Sequence, residues 1–84
     1  MNTKLNINIT GLIVRTHPET LNAVNEDLHQ IPGVEVHGNS KTGNLVVTVE
    51  QDEQENFTQT LAVIEQLPNV LAASLVYHEV LESH

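Results

Sequence analysis

Five histidines, His17, His29, His37, His78 and His84, are the side chains in this sequence best suited to chemistry. Imidazole ligates metals and acts as a general base near neutral pH, so their spacing is the first question. A metal site of the common kinds needs His-x₃₋₅-His or His-Glu-x-x-His. His-Glu-x-x-His does not occur, and the one pair at His-x₅-His spacing, His78 and His84, has no cysteine and no third histidine near it in sequence; His17 and His29 stand twelve positions apart, and His84 falls in the last segment. The histidines read as surface residues, and no metal is expected. Cysteine is absent, which removes disulfides, thiolate ligands and thiol nucleophiles together. Ser40, Ser74 and Ser83 lie in no Gly-x-Ser-x-Gly elbow. Gly11, Gly33, Gly38 and Gly43 form no phosphate loop, and no lysine follows at the required offset. The acidic run 50–55 sits where a helix should begin, and carboxylates there complement the positive end of the helix dipole. The inventory points away from catalysis and toward a binding protein with no cofactor.

Any binding surface must then be built by the elements, and these come in two copies of one unit. Leu28-His29-Gln30-Ile31-Pro32-Gly33-Val34 echoes Ile64-Glu65-Gln66-Leu67-Pro68-Asn69-Val70, thirty-six positions later. An amphipathic stretch precedes each copy, and before it runs Gly11-Leu12-Ile13-Val14 or Asn44-Leu45-Val46-Val47. The first strand spans Ile9–Arg15, with possible extension back to Leu5. Thr16 is positioned to cap the first helix, with Glu19 as its capping-box partner and Pro18 in the first turn. Leu21, Val24, Leu28 and Ile31 make one apolar stripe that Pro32-Gly33 ends. A strand over 34–37, a polar loop over 38–44, a strand over 45–50, a helix over 52–66 and a strand over 70–78 follow. The segment 79–84 reads as a frayed acidic tail.

Strand, helix, hairpin, helix, strand is the ferredoxin-like βαββαβ order, an α+β sandwich with a four-stranded antiparallel sheet and two helices on one face. The 84 residues suit a single domain, with 1–8 and 80–84 expected to be flexible. The second and fourth strands should lie at opposite edges, which keeps His37 and His78 apart. By alternation, Leu12, Val14, Leu45, Val47, Val49, Leu71, Ala73, Leu75 and Tyr77 point at the helices. The uncovered face receives Gly11, Ile13, Arg15, Glu35, His37, Val46, Thr48, Glu50, Ala72, Ser74, Val76 and His78. Ile13, Val46 and Val76 make a central apolar strip of the kind that marks an interaction surface.

Charge narrows the partner. Eleven acidic against three basic residues leave a net charge of −8, which repels phosphate backbones and anionic lipid. Nucleic acid and membrane are therefore not expected. RNA binding on such a sheet also needs stacking aromatics, whereas Phe57 falls on a helix and Tyr77 is assigned inward. The N-terminus alternates polar with apolar residues and lacks the core of a secretory signal. A cytoplasmic location is expected.

The last strand carries a resemblance. Leu71-Ala72-Ala73-Ser74-Leu75-Val76-Tyr77-His78-Glu79 resembles the terminal strand of the NapD family, with Ser-Leu-Val-Tyr-His its most specific part. Ile31-Pro32-Gly33-Val34-Glu35-Val36 and Gly43-Asn44-Leu45-Val46-Val47-Thr48-Val49-Glu50 add to it, and the similarity runs from about Ile9 to Glu79. It implies a ferredoxin-type chaperone without cofactor or catalytic activity. Such chaperones bind the twin-arginine signal peptide of NapA, the catalytic subunit of periplasmic nitrate reductase, as a helix across the open sheet. They hold back export until cofactor insertion is complete. With the alternation above, the expected contact residues are Gly11, Ile13, Val46, Thr48, Ser74 and Val76. Glu35 and Glu50 are the expected arginine partners, with His78 and Glu79 at the opposite rim, and Gly11 is expected to let the peptide approach closely. A monomer is expected. The alternative is a homodimeric ferredoxin-like regulatory module that binds a small ligand; a soft-metal carrier of this topology needs a Cys-x-x-Cys that is absent.

Overall fold

The computed structural model describes residues 6–51 and 54–82. Strand β1 (Asn6–Thr16) leads through a 3₁₀ turn (Pro18–Thr20) into helix α1 (Leu21–His29). Strands β2 (Val34–Asn39) and β3 (Asn44–Gln51) form a hairpin, followed by helix α2 (Gln54–Gln66) and strand β4 (Val70–Glu82). The strands form one antiparallel sheet in the order β2-β3-β1-β4, so β2 and β4 are its edges as expected. No helix among the described residues is long and apolar enough to cross a membrane.

One sheet face carries the core. Leu12 and Val14 of β1, Leu45, Val47 and Val49 of β3, Val24 and Leu28 of α1 and Ile64 of α2 are buried together. The three- and four-residue spacing on the helices and the two-residue spacing on the strands bring these side chains to one layer. Because both helices contribute to that layer, both lie on the same side, and no helix among the described residues lies over the opposite face.

The internal repeat has a hydrogen-bonded counterpart in each half. Ile31 N–H donates to Leu28 O (3.1 Å) and Val34 N–H to Ile31 O (3.2 Å); Leu67 N–H donates to Ile64 O (3.2 Å) and Val70 N–H to Leu67 O (3.3 Å). The residue after each proline adopts the left-handed conformation, Gly33 at φ 81° and Asn69 at φ 72°. The two copies differ in what surrounds that turn. A Cβ at Gly33 would collide with the carbonyl of Glu50, whose own N–H donates to Gly33 O at 2.7 Å.

Three local expectations are corrected. Thr16 does not cap α1: it is the last residue of β1, paired with Val70, and its hydroxyl donates to His17 O at 2.9 Å. Its own N–H is taken by Gly43 O (2.7 Å), which holds the backbone extended for one residue more. The segment after His78 is no frayed tail, because Glu79–Glu82 pair with Ile9–Asn6. Residues 6–8 and 80–82, expected to be flexible, are thus ladder partners of one another; 1–5 and 83–84, like the helix start expected at Asp52, lie outside the described residues.

Candidate functional site

The uncovered face is best read as rows across the sheet, since directly paired residues share a face. Glu50 of β3, Ile9 of β1 and Glu79 of β4 form one row. The next holds Glu35, Thr48, Gly11 and Tyr77, and the one beyond it Gly38, Val46, Ile13 and Ser74. Asn44, Arg15 and Ala72 form the last. Polarity therefore changes along the strands: carboxylates at one end, apolar side chains in the middle, and Arg15 at the other. The carboxylates of Glu50 and Glu79 flank Ile9 from strands two ladder spacings apart, about 10 Å at the backbone.

A shallow depression of about 250 Å³ lies in the middle, lined by Gly11, Leu12, Ile13, His37, Val46, Val47, Thr48, Val76 and Tyr77. Its rim is notably apolar for a surface: Val46 is 46%, Val76 60% and Tyr77 45% exposed. On the β2 side, His37 Nε2 and Thr48 Oγ1 are 2.6 Å apart, a hydrogen bond that holds both side chains against the depression.

Two irregularities shape this site. In β4 the register with β1 shifts between Gly11 and Leu12, where Tyr77 and Leu75 are the successive partners and Val76 is extra. A bulge of this kind reverses the facing of every later residue. In β2 a second shift, between Val36 and Gly38, leaves His37 extra beside the depression.

The β4 bulge corrects the face assignment. Tyr77, assigned inward, is opposite Gly11 on the uncovered face, and its ring occupies the space that a Cβ at Gly11 would need. Gly11 is buried as a result, so its missing side chain accommodates the chain's own tyrosine rather than a peptide. His78, expected at the rim, is opposite buried Thr10 on the helix face. There it hydrogen-bonds Asn8 Oδ1 at 3.1 Å and borders a small cleft with Phe57 and Leu75. Leu75, opposite Leu12, keeps the helix-side parity yet is 58% exposed, because β4 is an edge strand that the helices only partly cover; Leu71, 52% exposed, is the extra residue of a further register shift between Arg15 and Thr16.

Of the expected contact residues, Gly11, Ile13, Val46, Thr48 and Val76 meet at the depression. Glu35 and Ser74 share its face in the same rows and Glu50 and Glu79 in the row beside them, and His78 does not. Sequence reasoning missed Tyr77 as a wall and Ile9 between the carboxylates. The signal for the first was the run Leu75-Val76-Tyr77, whose three consecutive apolar residues cannot all satisfy a two-residue alternation.

Comparison with known proteins identifies the family and the fold. The family model described as NapD protein matches residues 7–82. Chaperone NapD of Escherichia coli (strain K12) is 33% identical over 75 residues, covering 88% of this chain and 86% of the relative. Chaperone NapD of Haemophilus influenzae is 31% identical over 72 residues, covering 84% and 77%. The solution structure of the E. coli Tat proofreading chaperone protein NapD superposes with a TM-score of 0.81 at 32% identity, over 87% of this chain and 78% of that one. A transcriptional regulatory protein of the AsnC family from Pyrococcus furiosus shares the fold alone, with a TM-score of 0.68 at 13% identity over 82% of this chain and 49% of that one.

Proposed function

The chain belongs to the NapD family of chaperones, and we propose that its uncovered sheet face holds the twin-arginine signal peptide of the nitrate reductase catalytic subunit, NapA, in the cytoplasm until cofactor insertion is complete. The observation that carries this reading is the row Glu50–Ile9–Glu79 beside the apolar depression. A twin-arginine peptide has adjacent cationic side chains followed by an apolar segment. The row offers two exposed carboxylates to the cations, and Glu35 stands one row further along at the β2 edge. The apolar segment then lies along the strands over Ile13, Val46, Val76 and Tyr77, with its far end toward Arg15.

The energetics suit reversible retention. Exposed ion pairs contribute about 0.2–1 kcal/mol each, so the carboxylates set direction and encounter rate more than affinity. Apolar contact supplies the larger part, about 2.5 kcal/mol for each ~100 Å² of apolar surface removed from water. Ordering the peptide on the sheet offsets some of that gain. No step of this function makes or breaks a covalent bond, as suits a chaperone rather than an enzyme.

The test is calorimetric titration with a synthetic NapA signal peptide and a twin-lysine version of it. One-to-one binding is expected, weakened by lysine for arginine and, by more, by Val46→Glu. Binding that is unaffected by Val46→Glu places the peptide elsewhere, and no binding at high micromolar peptide overturns the reading.

A further inference from the structure

The uncovered face is charged unequally along its length. Glu50, Glu79 and Glu35, all exposed, lie toward one end. At the other end Arg15, also exposed, stands in the row Asn44–Arg15–Ala72. Among the described residues it is the one Lys or Arg in the four strands. Exposed Lys41 is in the β2–β3 loop at that same end, where Gly43 O accepts from Thr16 N–H at 2.7 Å. Glu19 and Glu65, toward that end as well, belong to the 3₁₀ turn and α2, in the helical layer behind the sheet.

Given the peptide occupancy of this face proposed above, we infer that Arg15 sets the direction of the bound peptide, by turning its paired arginines away from the hairpin end. Apolar burial is non-directional, so a segment over Ile13, Val46, Val76 and Tyr77 gains from contact whichever way it runs. Charge at the two ends must decide. Six residues of β1 separate Ile9 from Arg15, about 20 Å at the rise of a strand. That is more than twice the screening length of about 8 Å at physiological salt, so each end acts on whatever cation is beside it. Run one way, the arginine pair meets Glu50 and Glu79. Run the other way, it loses both and meets Arg15 and Lys41. Discrimination thus combines an attraction at the correct end with a repulsion at the wrong one.

Direction decides where the cargo is held. A signal peptide precedes the subunit it exports, so the chain that follows the apolar segment leaves the face at the hairpin end. The arginine pair stays at the carboxylate row, about 20 Å from that exit.

Because the chain has no cysteine, one introduced thiol reports direction. Ala72→Cys places it at an exposed position beside Arg15. Two synthetic NapA signal peptides serve as probes, one with a cysteine before the arginine pair and one with it after the apolar segment. Under mild oxidation Ala72→Cys should form a disulfide faster with the second. Adding Arg15→Gln removes a repulsion on two exposed cations and should cut that preference about threefold to fivefold. Arg15→Lys should retain it, and salt should erode it. Calorimetric affinity for the cysteine-free peptide should stay within about twofold in Arg15→Gln, because in the favoured direction the arginine pair is far from position 15. Faster linkage to the first peptide, equal linkage to both, or a preference that Arg15→Gln leaves unchanged overturns the proposal, while one-to-one binding in calorimetry keeps the chaperone reading standing. Absence of binding overturns both.

Discussion

Gly11→Ala tests the bulge on which the site's shape depends. In an ordinary strand this substitution stabilises by about 0.5–1 kcal/mol, because glycine loses the most backbone freedom on folding. Here the new methyl would overlap the Tyr77 ring at Cε1, Cδ1 and Cζ, well inside van der Waals contact. The ring is 45% exposed and swings outward instead of forcing the backbone, so the cost is about 1.5–2 kcal/mol, within the about 1–3 kcal/mol seen for overpacking. The net expectation is a destabilisation of about 1 kcal/mol, or about 4–8 °C in melting temperature for a domain of this size. In a Tyr77→Ala background the obstacle is gone, and the same Gly11→Ala change should be neutral or stabilising. The double-mutant cycle, read from urea unfolding midpoints, should give a coupling of about 1.5–2 kcal/mol. Equal effects of Gly11→Ala in both backgrounds would mean that Tyr77 does not lie over Gly11. The β4 register, and with it the wall of the depression, would then be wrong.

The paired turns make a second comparison. Gly33→Ala should cost about 2 kcal/mol or more, combining a left-handed Cβ penalty of about 1–2 kcal/mol with a collision at the Glu50 carbonyl, whereas Asn69→Gly should change stability by less than about 1 kcal/mol; thermal melts of both variants check this. Neighbouring residues separate the two faces of β4. Glu79→Gln should weaken twin-arginine peptide binding and flatten its salt dependence, whereas His78→Ala, on the helix face, should leave affinity within about twofold.

The site depends on a division of labour between the faces. The helices take one side of the sheet, and Leu12, Val14, Leu45, Val47 and Val49 fill it with Val24, Leu28 and Ile64. The remaining β-branched and aromatic side chains on the other side favour the strand conformation, yet nothing among the described residues covers them. A NapD-family chaperone thereby carries a ready apolar surface without disordering any element to expose it.

Much was legible because it is local or periodic. The repeat around Pro32-Gly33 and Pro68-Asn69, the stripe Leu21–Val24–Leu28–Ile31 and the alternation in Leu45–Val49 each follow from bonds and side-chain directions within one element. They determined the element order, the helix-covered face and the central residues Ile13, Val46 and Thr48. The extent of β4 was not legible, since Glu79–Glu82 become strand only by pairing with Asn6–Ile9, some seventy residues away. Nor was the facing of its second half. A bulge inserts a residue without a strong local signature, and it is stable only because Gly11 on the neighbouring strand leaves room for Tyr77. That packing is a relation between two distant positions, so tertiary structure alone placed Tyr77 on the uncovered face and turned His78 away from it.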